Sequence, residues 1–217
     1  LTKANLRLAI CFLQSFFHFV RPRVYAYHRY IKRKGLKISI FEVMNTTNRL
    51  LLLKTMSITD ENFKELMKRF ASGVTLITYE NEGKYGGLTV SSFCSLSMNP
   101  PLILICVDKK IPSHDLLKNG TSFGVNICNS EQGKLAWDFA NSNIDKNQLI
   151  LSLKYSVTGE KVPLLTDCMA SMECSIKESY EGGDHTIFIG QIEKGNFDEE
   201  SEPLIYYKSG LGNFKPN

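Results

Sequence analysis

The chain has a single tryptophan and only seven prolines in 217 residues, and its six cysteines include no CxxC pair and no CxxC…HxxxH spacing. Neither a zinc site nor a redox dithiol is therefore signalled. There is no GxSxG elbow, no HExxH pair and no Walker loop, so the named hydrolase and NTPase motifs are absent. No run of eighteen uncharged apolar residues occurs, and a clean membrane-spanning helix is not expected. Hydrophobic residues at 43% and charged residues at 22% are near the globular average, which excludes wholesale disorder and low-complexity classes. Cys106 in LILICVD and Cys128 in FGVNIC sit in apolar runs, where a free thiol packs as a small hydrophobe. Reduced cysteines and a cytoplasmic location are expected.

Acidic residues are nearly missing from the first quarter. Residues 1–55 hold eleven Lys and Arg against one acid, Glu42, while the remainder holds fifteen basic and twenty-one acidic groups. The whole-chain charge of +4 thus combines a segment near +10 with one near −6. Leu8 to Val20 is apolar but about thirteen residues long, is interrupted by Gln14 and His18, and is followed by the basic RPR. A domain start is read at Met56, with residues 1–55 a basic extension, either upstream translated sequence or disordered. An interfacial anchor is the alternative. The basic average predicts no nucleic-acid partner, and membrane association is not expected.

From Met56 the pattern becomes regular. Thr59, Asp60 and Glu61 open a helix whose apolar residues Phe63, Leu66, Met67 and Phe70 fall at i, i+3, i+4 and i+7. Strands are read at Val74–Glu80, Leu88–Ser97, Leu102–Asp108, Ser122–Cys128, Met169–Ser179, His185–Gly195 and Pro203–Lys208, with turns at Asn81–Gly87 and at YEGGD. Short helices are read at Ser113–Lys118 and Ser130–Asn141, and the polar stretch 143–154 carries no assigned element. Several strands on short connections with few helices indicate an antiparallel barrel or sandwich with helical insertions, in one domain over 56–217.

Three segments carry candidate chemistry. In GGLTVSSFCSLSMNPP, glycines permit close backbone approach, and Thr89, Ser91, Ser92 and Ser95 supply neutral hydroxyls suited to a phosphate or to the imide edge of a flavin; a solvated edge strand is the bland alternative. In DKKIPSHDLL, Lys109, Lys110 and Ser113 precede a short helix as an anion site or an ordinary helix cap, with His114 read as an exposed helix residue. In GGDHTIFIG, His185 follows a glycine turn at a strand start and belongs at a rim.

Taken together and in order, FASGVTLIT, GGLTVSSFCSLSMNPPLILICVD, Ser113, FGVNIC, GDHTIFIGQI and PLIYYKSG resemble the flavin reductase family of the FMN-binding split-barrel fold, from about Phe63 to Gly210. The resemblance implies a homodimeric antiparallel split β-barrel that transfers a hydride from NADH or NADPH to FMN or FAD and supplies reduced flavin, by diffusion, to a partner monooxygenase. It implies that Thr89, Val90 and Ser91 meet the isoalloxazine, that Ser92, Ser113 and Lys109 take the phosphate side, and that Phe123 and Asn126 line the same groove. The ring and phosphate roles of the three hydroxyls are exchangeable. Gly183, Asp184 and His185 match the nicotinamide-binding motif, with His185 positioning the dinucleotide. The competing readings are a non-catalytic flavin- or haem-binding split barrel, and a nucleic-acid or membrane binder driven by the basic segment.

Overall fold

The computed structural model describes residues 58–214 of a chain that divides into two units, Leu1–Ser57 and Ile58–Asn217. The readings made for residues 1–55 lie outside the described residues. The second unit opens with helix α1 (Asp60–Met67), where the Thr59 hydroxyl accepts from the Asn62 amide and two acids fill the first turn. None of its residues is buried, and its apolar residues Phe63, Leu66 and Met67 face outward with Phe70 just beyond.

Strands β2 (Thr75–Asn81) and β3 (Lys84–Val90), which follow the two-residue β1 (Ser72–Gly73), form a hairpin on Glu82 and Gly83. Both turn residues have positive φ, 51° and 80°, as a tight two-residue hairpin requires. The turn is therefore shorter than the expected Asn81–Gly87, and Gly86 and Gly87 belong to β3. The latter two answer a packing need. A Cβ on Gly87 would stand 2.5 Å from the Phe139 ring, and one on Gly86 would stand 2.3 Å from that of Tyr79.

The run Leu88–Ser97, expected as one strand, is two: β3 ends at Val90 and β4 (Phe93–Met98) begins after Ser91 and Ser92. A turn through a cis Asn99–Pro100 bond leads to β5 (Pro101–Asp108), then helix α2 (Pro112–Asn119) and β6 (Ser122–Ile127). Helix α3 (Gly133–Ala140) buries Ala136 and Phe139 as its spacing predicts. The unassigned polar stretch contains helix α4 (Lys146–Leu151), capped by the Asp145 carboxylate on two backbone amides and buried through Ile150. Its one fully buried residue, beside a partly buried Leu149, gave too weak a periodicity to read. Short strands β7 (Tyr155–Val157) and β8 (Pro163–Leu165) pair with each other, and the long hairpin β9 (Ala170–Gly182) and β10 (His185–Phe197) turns on Gly183 at φ 73°. β11 (Leu204–Tyr207) lies between β1 and β12 (Gly210–Asn213) in a small separate sheet.

The main sheet has the order β3-β2-β6-β9-β10-β5-β4, with every neighbouring pair antiparallel. β3 and β4 are thus its two outer strands, yet only Ser91 and Ser92 separate them in sequence. Three Cα–Cα steps span at most about 11 Å, so the edges must meet and the sheet closes on itself. The expected antiparallel split barrel is borne out, with its seam at Ser91–Ser92. Its interior is filled by Ile77, Ile103, Ile105, Val107, Phe123, Val125 and Phe188, and a second apolar cluster lies around Leu76, Cys128, Ala136, Phe139 and Ile150.

Phe123 is fully enclosed and reaches past β9 toward β10, so that a Cβ on Gly190 would come 2.7 Å from its ring and 3.1 Å from Cys174 Cβ. Neither neighbour has room to yield. Gly190→Ala should lower stability by about 1–3 kcal/mol, read as a lower urea midpoint at unchanged slope. A wild-type midpoint would contradict this packing.

Candidate functional site

The seam is where the barrel wall runs out of ladder partners. Thr89 directs its hydroxyl to the Ala136 carbonyl at 2.6 Å, and the Val90 side chain is buried while its carbonyl accepts from the Thr75 hydroxyl at 2.7 Å. The Ser92 carbonyl accepts from the Cys106 amide at 3.1 Å, tying the seam to β5. Ser91 and Ser92 are exposed, and neither hydroxyl has a partner among the described residues. These two donors are therefore available to a ligand, whereas the Thr89 hydroxyl is held by the protein.

Two turns adjoin the seam. Asp108 pairs with His185 across β5 and β10, and the Lys109 amide donates to the Asp184 carbonyl at 3.0 Å. Cys106, bonded to Ser92, precedes Asp108 by two residues, or about 7 Å of strand. Register alone therefore brings Ser91–Ser92, Asp108–Lys110 and Gly183–His185 together at one end of β5.

The local bonding assigns different tasks within this group. The Lys109 ammonium donates to the Gly183 carbonyl at 2.7 Å and pairs with the Glu181 carboxylate. It ties one turn to the other, and the phosphate role expected of it is not the one its contacts describe. The Lys110 ammonium has no bonded partner among the described residues and is the exposed cation of the loop. Ser113 accepts a hydrogen bond from the Tyr79 phenol at 2.8 Å. His185 is half-exposed, with Nδ1 2.8 Å from Asp184 Oδ1, which leaves Nε2 for a ligand. That contact holds the Asp184 carboxyl below its ordinary 3.8 and so anionic near neutral pH.

Three further expectations change. Phe123 and Asn126 do not line a groove: both are fully buried, Phe123 in the barrel interior, while Asn126 donates to the Leu76 carbonyl and the Thr78 hydroxyl and accepts from the Leu165 amide. A side chain with every polar atom bonded inside the fold offers nothing to a ligand. His114 is not exposed. It is 5% accessible, 2.8 Å from the Thr186 hydroxyl through Nε2 and from Asp115 through Nδ1, with its ring edge-on to Phe188. The helical position was read correctly, but the β10 partner was invisible locally. Tyr79 was missed altogether, although its place opposite a glycine pair in the hairpin was a usable sign.

A cavity of about 440 Å³ elsewhere is lined by Glu160, Glu173, Glu193, Lys194, Thr121, Ser122, Ser175 and Gly159, and the buried Glu173 Oε1 has no partner. Its acidic lining repels a phosphate-bearing ligand and separates it from the seam. Among the described residues no group of three metal-ligating side chains occurs, and no helix is long and apolar enough to cross a membrane.

A family model described as a flavin reductase like domain matches residues 67–215. The chain belongs to this family. It is 31% identical over 154 residues to the 4-nitrophenol 4-monooxygenase/4-nitrocatechol 2-monooxygenase, reductase component, of Rhodococcus opacus, covering 71% of this chain and 80% of that protein. Identity to the NADH-dependent FAD reductase of Streptomyces globisporus is 33% over 150 residues, or 68% and 82% of the two chains. Among solved structures, the Streptomyces globisporus NADH:FAD oxidoreductase SgcE6 in complex with NAD and FAD fragments gives a TM-score of 0.68 at 30% identity, over 75% of this chain and 99% of that one. The flavin reductase expectation is borne out, and oxidoreductase chemistry is favoured over a non-catalytic binding role. The residues present suit a flavin: unpartnered hydroxyl donors and a cation stand at a gap in a rigid wall.

The Lys109 ammonium beside Glu181 holds that carboxyl below its ordinary 4.5. A depressed carboxylate stabilises the fold above its unfolded value and loses that contribution as pH falls through the folded one. Glu181→Gln should therefore melt below wild type near pH 7, with the gap narrowing as the pH is lowered below the ordinary carboxylate value. A gap that widened on acidification would contradict the Lys109–Glu181 tie.

Proposed function

We propose that the chain is an NADH-dependent flavin reductase that receives FMN or FAD at the Ser91–Ser92 seam and the nicotinamide dinucleotide at the Gly183–Asp184–His185 turn. The carrying observation is the convergence of these segments with Asp108–Lys110 at one end of β5. The bound flavin supplies the hydride acceptor. The chain's own part is binding and orientation. The Ser91 hydroxyl and the Thr89–Val90 backbone hold the ring edge; Ser92, Ser113 and Lys110 face the phosphate. Asp184 fixes the His185 ring through Nδ1, so that Nε2 orients the dinucleotide and is not required to deliver a proton. Arg69 is the single arginine among the described residues, so none clusters there for a 2′-phosphate, which favours NADH over NADPH.

The reduced flavin passes by diffusion to a separate monooxygenase, a reading supported by relatives named as reductase components. The active form is a homodimer. The outward Phe63, Leu66, Met67 and Phe70 around α1, with Leu96 and Met98 on the edge strand β4, offer the apolar surface that a second copy would cover. The five described cysteines are all free, in keeping with a cytoplasmic location.

NADH oxidation followed at 340 nm with and without added FMN or FAD tests the reading, and no flavin-dependent oxidation would reject it. His185→Ala should raise the KM for NADH roughly tenfold, as expected for loss of one polar contact to a charged ligand, with flavin affinity changed less. Lost flavin binding at unchanged KM would refute the role given to His185. Sedimentation equilibrium should return twice the chain mass; a monomer at micromolar concentration would remove the dimer from the proposal.

A further inference from the structure

Ser113 has a phosphate role in the proposed site, and its hydroxyl is set by a residue that no motif marks. Tyr79 lies in β2 with its ring in the barrel interior, 7% accessible, and its phenol donates to Ser113 Oγ at 2.8 Å across 34 residues of sequence. The ring has room because its register partner is Gly86. A Cβ there would lie 2.3 Å from ring atoms Cε2 and Cζ and 2.5 Å from the phenol oxygen. Those separations are far inside van der Waals contact, so a side chain at position 86 would push the phenol away from Ser113.

A serine hydroxyl has one proton to donate and two lone pairs to accept with. With Tyr79 donating, one lone pair is occupied and the proton must point elsewhere. Among the described residues the Ser113 hydroxyl donates to nothing. Burial raises the Tyr79 phenol above its ordinary 10.0, so it keeps its proton at neutral pH and has it to donate to Ser113. Accepting one hydrogen bond also polarises the hydroxyl and strengthens its own donation.

We infer that Tyr79 is a positioning residue that orients the Ser113 hydroxyl toward the phosphate of a flavin nucleotide, so that the Tyr79–Gly86 pair sets the preference of this chain for phosphorylated flavin over riboflavin. The inference rests on the proposed flavin site and adds to it a residue that touches no flavin. A ring that only filled the core would support FMN and riboflavin equally; a ring that acts through Ser113 discriminates between them.

Equilibrium binding of FMN and of riboflavin to the full chain, followed by flavin fluorescence quenching, separates these cases. Wild type binds FMN more tightly than riboflavin. Tyr79→Phe keeps the ring, removes the hydroxyl, and weakens FMN roughly three- to tenfold while riboflavin shifts by less than about twofold. Ser113→Ala, at a half-buried position outside the barrel interior, gives the same FMN-selective loss. The double variant weakens FMN no further than either single change, because both remove one linked interaction. Equal weakening of both flavins by Tyr79→Phe, unchanged FMN binding in either single variant, or additive losses in the double variant would overturn the inference and leave the flavin site standing. Wild-type protein that binds neither flavin would overturn the proposed function itself.

Discussion

Ser91 and Ser92 join strands that stand at opposite edges of a seven-stranded sheet, and a linker of two residues allows the sheet no conformation but closure. The remaining architecture follows from that covalent limit. Closure creates an interior that Phe123, Phe188 and the isoleucines of β2 and β5 fill. It also creates a seam, where Ser91 and Ser92 lie between the two strands and the Ser92 carbonyl alone bonds to β5. The unpartnered hydroxyls of Ser91 and Ser92 are left at the rim, next to the loop after β5 and the turn before β10. The site is a by-product of how the barrel shuts.

Much of this was readable in the sequence, for physical reasons that differ by element. The glycine turn at Gly183, the strands that follow it and the short helix after Ser113 are governed by local backbone preference and alternation, and local rules found them. The seam was not readable as a break. TVSSFCSLS has the β-propensity of one strand, and only the length limit on closure divides it at Ser91. Helix α4 and the strands β7, β8 and β12 are too short for a period to emerge. For the site, residue type identified Ser91, Ser92 and His185 as plausible ligand contacts. It did not show that Phe123 and Asn126 are buried or that Lys109 is tied to Glu181, because the partners Gly190, Leu165 and Glu181 lie far away in the chain. Composition shows which groups a chain possesses; pairing across the fold decides which remain available.

The two glycines of β3 show how a sequence feature can point in a direction other than the one first assigned. A glycine pair entering a strand suggests room for a ligand to approach the backbone. Here the approaching groups are the chain's own rings, Tyr79 over Gly86 and Phe139 over Gly87. The first ring places a phenol against Ser113, and the second locks α3 to the hairpin whose next residues include Thr89, itself bonded to Ala136 of that helix. The glycines thus act one step removed from the ligand, by admitting the aromatic side chains that hold the loops in place.

Helix α2 is fastened at adjacent residues to strands that are not neighbours: Ser113 to Tyr79 of β2, and His114 to Thr186 of β10, with Leu117 buried in the barrel core between them. In the sheet, β6 and β9 separate those two strands. Fraying of α2 would have to release both anchors together, so its amide protons should share the slow exchange of the barrel itself. Helix α1 has no buried residue. The two helices, equal in length, therefore belong to different cooperative units: one opens with the barrel and the other on its own.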